Sequence, residues 1–116
     1  MLIAFTAAGK GGLKAEVDPR FGRAACFVIV ETESGEVMAE LENPAVRADH
    51  GAGPQAASLL AERGARGVVS GDFGPKAKAA LEGLGLGMWR ITKPAAVEEA
   101  LRLHREGGLE EIRPPR

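Results

Sequence analysis

Val68-Val69-Ser70-Gly71-Asp72-Phe73-Gly74-Pro75 changes its structural period within eight residues. Val68-Val69-Ser70 reads as a short buried strand, and Gly74-Pro75 opens a helix whose apolar stripe is Ala77, Ala80, Leu81 and Leu84. Leu86 to Ile91 returns to a strand. A strand, a helix and a strand in succession need a crossover connection, so the two strands are expected to run parallel with a right-handed crossing. That unit decides for the α/β class.

Upstream, Ala52, Ala56, Leu59 and Leu60 fall at i, i+4, i+7 and i+8, with Pro54 near the first turn and Gly64 just past the end, which predicts another helix. Ahead of it lie two apolar runs, Leu2 to Thr6, closed by Gly9, Gly11 and Gly12, and Cys26-Phe27-Val28-Ile29-Val30. A Ser34-Gly35 turn joins the second run to a third, in which Val37, Ala39 and Leu41 alternate with Met38, Glu40 and Glu42; this is a hairpin with one wet face. Downstream, Thr92 is placed to cap a third helix, which carries Val97, Ala100, Leu101 and His104 on one stripe and Glu98 with Arg102 as an i,i+4 pair, before Gly107 ends it. The expected order is β-β-β-α-β-α-β-α, a five-stranded mixed sheet in one domain over residues 1–110, with 111–116 as a C-terminal tail. Strand four beside strand one would open a crevice at their carboxyl ends, where the loops at 8–12 and 71–74 are expected to meet.

The chain has 116 residues, 45% hydrophobic and 27% charged, with a net charge of -1. This excludes a disordered chain, a strongly basic nucleic-acid binder and an acidic tail protein, so any cationic site must be local. Cys26 is the only cysteine, so no intrachain disulfide can form. The start, Met1-Leu2-Ile3-Ala4-Phe5, lacks a basic flank, and no apolar run approaches the roughly 20 residues of a membrane helix. A cytoplasmic location away from membranes is the expectation. The sixteen glycines sit mainly between the periodic segments, which makes the loops the unusual part.

Three loops carry candidate chemistry. In Asp18-Pro19-Arg20-Phe21-Gly22-Arg23-Ala24, a proline and a glycine bracket an aromatic residue, and Arg20 and Arg23 offer forked donors for an anion. The same residues also suit an ordinary loop with Phe21 plugged into the core and the arginines solvated. In Asp49-His50-Gly51-Ala52-Gly53-Pro54, an imidazole precedes a helix start, where unpaired amides and the dipole favour negative charge. His50 is the candidate metal ligand here, or else a cap or surface residue. Gly71-Asp72-Phe73-Gly74-Pro75 repeats the device at the next helix and is also plain turn chemistry. Cys26, at the head of an apolar strand, reads as a small buried hydrophobe, and His104 and Trp89 read as packing residues.

Taken together and in order, Phe21 to Ala24, Asn43-Pro44, His50 to Gly53 and Gly71 to Pro75 resemble the dinitrogenase iron-molybdenum cofactor biosynthesis proteins over roughly residues 1 to 110. The resemblance implies a ribonuclease-H-like three-layer fold. It also implies a nitrogen fixation-related, non-enzymatic role in carrying or inserting an iron-sulfur or iron-molybdenum cluster, or its precursor. Such clusters are anionic, so arginines and helix N-termini would attract them. The implied contacts are Arg20, Phe21, Gly22, Arg23, His50, Gly51, Gly53, Gly71 and Gly74, with His50 the metal ligand. The implied partners are metallocluster assembly proteins or an apo-acceptor protein, with no nucleic acid. Family members often carry a histidine directly before Phe-Gly; Arg20 stands there instead, which points to an electrostatic rather than a ligating role for this loop.

Three other readings meet the same residues. A ribonuclease-H-like nuclease needs several carboxylates around two divalent metals about 4 Å apart. The first strand has no acid, Glu62 lies at the far end of its helix, and Asp72 stands alone after the fourth strand. A regulatory module that holds a small molecule or a nucleotide phosphate could use similar glycine loops. Gly9-Lys10-Gly11-Gly12, however, has neither the P-loop ending nor the dinucleotide fingerprint. A protein-protein adaptor would dock through Trp89 or a free strand edge, and such an edge would also serve a homodimer.

Overall fold

Strict alternation of side chains through the central strands builds two cores, one on each face of a single sheet. The computed structural model describes residues 1–47 and 51–112. Its strands are β1 (Leu2–Ala7), β2 (Cys26–Glu31), β3 (Val37–Glu42), β4 (Gly67–Ser70), β5 (Gly87–Arg90) and β6 (Glu110–Ile112). The helices are α1 (Ala52–Glu62), α2 (Pro75–Gly83) and α3 (Val97–Arg105). The sheet order is β3-β2-β1-β4-β5-β6, with β1, β4 and β5 parallel and β2 and β6 antiparallel to their neighbours.

Ala4, Phe27, Ile29, Val68 and Met88 point to one face and pack on Ala56, Ala57 and Leu60 of α1 and on Ala77 and Leu81 of α2. Ile3, Phe5, Val28, Val30 and Val69 point to the other, against Val97, Ala100 and Leu101 of α3. The result is a three-layer α/β structure. The expected hairpin is present: β3 alternates half-buried Val37, Ala39 and Leu41 with exposed Met38, Glu40 and Glu42, and Gly35 supplies the positive φ of the turn.

The sheet has six strands where five were expected. β6 pairs Glu110 with Arg90, Glu111 with Trp89 and Ile112 with Met88, so part of the supposed tail closes the edge of the sheet. Three residues, two of them glutamates, are too few and too polar to show an alternating pattern; backbone pairing and the packing of Ile112 on the core make the strand. Residues 113–116 lie outside those described.

α3 starts later than expected. Thr92 does not cap it; the cap position is Ala96, with no side-chain cap. Pro94 disfavours helix in the residue before it. The backbone of residues 95–97 is instead spent on the segment after β1, through Val17 N to Ala95 O at 2.9 Å and Val97 N to Ala15 O at 2.8 Å. The expected Glu98–Arg102 pair is also absent. Glu98 accepts from Lys14 at 3.0 Å, while Arg102 binds Glu99 one turn back and Glu106 one turn on. Leu84, expected on the apolar stripe of α2, lies past the helix end and is exposed.

The connections fix where a ligand can sit. β4 leads into α2 on one face of the sheet and β5 leads towards α3 on the other, so the chain parts between their carboxyl ends. β1 and β4 are parallel neighbours as expected, but the opening is on the β4–β5 side. The loop at 8–12 does not meet the one at 71–74 there, because the amides of Gly11 and Gly12 are bound to Glu40 of β3.

Candidate functional site

Two grooves lie at the carboxyl ends of the parallel strands and share one residue, Asp72. The larger, about 780 Å³, is the switch-point crevice between β4 and β5. Gly71 and Asp72 line it beside Glu16, Val17 and Pro19 from the segment after β1 and residues 90–94 after β5. The smaller, about 390 Å³, lies where α1 and α2 begin, and is lined by Arg20, Phe21, Gly22, Arg23, Ala52, Gly53, Asp72 and residues 74–77.

The loop that carries the arginines is held rigidly from beneath. Phe21 is buried and stacks at 5.6 Å on both Phe27 and Phe73, so its ring is a plug and its backbone borders the groove. Asn43 donates to Gly22 O at 3.0 Å and Ala24 O at 2.9 Å, while its own oxygen accepts from Ala45 N at 2.9 Å. The Asn-Pro that ends the hairpin is thereby tied to the Phe-Gly-Arg-Ala loop. Buried Asp18 accepts from Arg20 N at 2.8 Å and lies 3.4 Å from Arg20 Nε, which restrains an otherwise exposed guanidinium. Arg23 donates to Val46 O at 3.0 Å.

Small residues let the two helix starts close on that loop. A Cβ on Gly22 would fall 2.9 Å from Gly53 N, and one on Gly53 would fall 2.7 Å from Ala77 Cβ. A Cβ on Gly71 would fall 2.5 Å from Pro19 Cα. Gly74 differs: its φ is -67° and a Cβ there would meet nothing within 4 Å. Neither backbone strain nor crowding explains a glycine at the cap position of α2, where serine or aspartate would serve better. Among the described residues neither α1 nor α2 has a side-chain cap, which turns their first amides and the positive dipole end to the groove.

Of the candidate residues, Arg20, Phe21, Gly22, Arg23, Gly53 and Gly74 line one groove. Gly71 lies on its neighbour, and Gly51 is exposed at the cap of α1 with a φ of 73°. His50 lies outside the described residues. Three contributors were missed: Lys76 in the first turn of α2, Asp72 on both grooves, and Arg90, which pairs with Asp72 at 3.3 Å. The position of Lys76 directly after Gly74-Pro75 was a legible signal; the Asp72–Arg90 pair spans 18 residues and carried none.

The chemistry is that of an anion cradle. Among the described residues that line the smaller groove, Arg20, Arg23 and Lys76 stand with one acid, Asp72, while Asp18 pairs with Arg20 from beneath. Among the described residues, no group of three or more His, Cys, Asp or Glu side chains could hold a metal ion. Burial pushes the Cys26 thiol up, Glu40 and Glu42 add to the rise, and Lys10 opposes it, so the thiol stays protonated. Among the described residues, no helix is long and apolar enough to cross a membrane.

Comparison with known proteins bears on the family and the fold. The apo form of the orange protein from Desulfovibrio gigas superposes with a TM-score of 0.90 at 37% identity, covering 99% of this chain and 95% of that one. A Thermotoga protein described as a candidate NifB protein gives a TM-score of 0.81 at 34% identity, covering 95% and 91%. An uncharacterized protein of Methanocaldococcus jannaschii is 35% identical over 98 residues, 83% of this chain and 82% of that protein. The family model described as dinitrogenase iron-molybdenum cofactor matches residues 1–107. The chain belongs to the dinitrogenase iron-molybdenum cofactor family.

Proposed function

We propose that the chain is a non-catalytic carrier that takes up an anionic iron-sulfur or iron-molybdenum cluster, or its precursor, and passes it to an assembly protein or an apo-acceptor. The observation that carries this reading is the convergence of two uncapped helix starts and the cations Arg20, Arg23 and Lys76 on one groove. Each helix start contributes about 0.3 to 1 kcal/mol towards a bound anion, and the guanidinium forks add direct donors. Such a set attracts and orients a cluster without enclosing it, which suits transfer. His50, adjacent in sequence to the cap of α1, is the residue that would ligate metal. In a family related to the dinitrogenase cofactor, the donors fit a cluster handled as cargo.

The ribonuclease-H-like architecture belongs to this reading. Its support is the core order β3-β2-β1-β4-β5 with only β2 reversed. Cytoplasmic action on an oxygen-sensitive cargo belongs to it too. A second reading, a regulatory module for a small phosphate-bearing molecule, is favoured by the switch-point crevice of about 780 Å³, which has the size of a small-molecule site.

Anaerobic reconstitution of the wild type and His50→Ala with ferrous iron and sulfide tests the carrier reading. Iron and sulfide that co-elute with the wild type are the expected result, with weaker retention in the variant. Equal retention in both removes His50 alone, and a wild type that retains neither iron nor sulfide overturns the reading.

A further inference from the structure

We propose that the switch-point crevice is a binding site in its own right, and that it takes a small organic cation, an amine carried on an apolar body. The inference does not depend on the carrier reading, because among the described residues the crevice and the groove share only Asp72. At about 780 Å³ the crevice has the size of a small-molecule site. It opens where the chain leaves β4 and β5 for opposite faces of the sheet. Val17, Pro19, Ile91 and Pro94 give it apolar surface.

The sign of the ligand follows from which charges are already matched. Lys93 lies 3.9 Å from Glu99, and Glu99 also binds Arg102, which reaches Glu106, so two cations and two acids close that set. Arg90 is shared by Asp72 at 3.3 Å and Glu110 at 3.1 Å, which leaves that set with one more acid than base. The exposed carboxylate of Glu16 lines the crevice and has no hydrogen-bond or ion-pair partner among the described residues. The cations closest to it in sequence are taken: Lys14 by Glu98 at 3.0 Å and Arg20 by Asp18 at 3.4 Å. Lys76 lines the groove on the other side of Asp72 and not the crevice. Both cations that line the crevice, Arg90 and Lys93, are therefore matched, while Glu16 and the Asp72–Arg90–Glu110 set keep an excess of negative charge. An ammonium group is drawn to Glu16 while its apolar body covers Val17 and Ile91; a carboxylate or phosphate on the same body is repelled. The volume alone would admit a phosphate-bearing molecule, and the charge opposes it.

The test titrates 3-phenylpropylamine, 3-phenylpropanol, 3-phenylpropionate and phenyl phosphate into the chain at low salt, followed by the amide NMR shifts of Val17, Gly71, Ile91 and Lys93. The variants are Glu16→Gln and, as a control on the far hairpin, Glu36→Gln. The amine is expected to bind the wild type about tenfold more tightly than the carboxylate, with the alcohol between them. Glu16→Gln should weaken the amine about twofold to fivefold and leave the alcohol unchanged, and Glu36→Gln should behave as the wild type. The preference for the amine should shrink in about 0.5 M salt. The proposal is overturned if the amine leaves these amides unmoved, if the alcohol or the carboxylate binds as well as the amine, or if Glu16→Gln binds the amine like the wild type. It is overturned too if Glu36→Gln weakens the amine as much as Glu16→Gln does, or if phenyl phosphate binds more tightly than the amine, which would favour the phosphate-binding module instead. Cluster retention is a separate measurement, and its failure leaves this site standing.

Discussion

The carboxylate of Glu40 rests on the backbone amide of Gly12 at 2.5 Å and reaches that of Gly11 at 3.0 Å. Two residues along the same edge strand, Glu42 pairs with Lys10 at 3.4 Å. Glu42 lies opposite Cys26 in the sheet register, so two acids strap the loop at 9–12 beside the chain's single thiol. The amides of this glycine loop are thus filled by an anion of the chain's own.

Glu40→Ala releases that strap. The expected cost in stability is about 1 kcal/mol or less, because the contact is exposed. Reaction of Cys26 with an aromatic disulfide at mildly alkaline pH should accelerate several-fold, since the variant loses both cover and a carboxylate that favours the protonated thiol. An unchanged rate would mean that the strap does not shield Cys26.

His104 supplies a pH dependence. Its ring meets the only tryptophan, Trp89, edge-on at 4.5 Å, and its Nδ1 is buried with no partner among the described residues. Burial pushes the imidazole below its ordinary range, and Glu111 opposes this in part. The unfolded chain therefore binds the proton first, so the stability that the neutral ring contributes is full above the ordinary histidine value. It is lost as pH falls through the folded value. Urea midpoints followed by Trp89 fluorescence should fall between about pH 7 and pH 5, and His104→Gln should flatten that slope.

Gly71 and Gly74 should respond oppositely to a side chain. Gly71→Ala drives a methyl group to within 2.5 Å of Pro19 Cα, a backbone contact that cannot yield cheaply, and should cost about 1 to 3 kcal/mol. Gly74→Ser meets nothing within 4 Å and adds a helix cap, so it should gain a few tenths of a kcal/mol. The same serine occupies the open side of the groove and satisfies an amide there, so cluster retention should drop. Thermal melts and iron analysis on the two variants check both halves.

Phe21→Ala should cost about 3 to 5 kcal/mol, because the ring is buried between Phe27 and Phe73 under the arginine loop. A urea melt measures it, and a loss under 1 kcal/mol would mean that the loop does not depend on its plug.

The core of this fold was legible because its residues repeat. Ile3 against Ala4, Val28 against Ile29 and Val69 against Val68 alternate between two helix layers, and that alternation is printed in the sequence. β6 was hidden because Glu110–Ile112 owes its conformation to Met88, Trp89 and Arg90 across the ladder. The start of α3 was misplaced because its competitor, the backbone of residues 15–17, lies some 80 positions away. At the site, the glycine and arginine motifs pointed to the groove where they meet. Lys76 was in view beside Gly74-Pro75, whereas the pairing of Asp72 with Arg90, and the filling of the Gly11–Gly12 loop by Glu40, depend on strands brought together only by folding.

If the cradle of Arg20, Arg23 and Lys76 at the starts of α1 and α2 holds an anionic cluster, its loss must release that cluster. The most direct measurement is the iron and sulfide content, with the visible absorption, of wild type and Arg20→Gln/Arg23→Gln after anaerobic reconstitution and gel filtration. The wild type is expected to elute with the cluster bound, and the double variant, of unchanged fold, largely without it. A wild type that elutes free of iron, or a double variant that retains the cluster as well as the wild type does, would contradict the carrier reading.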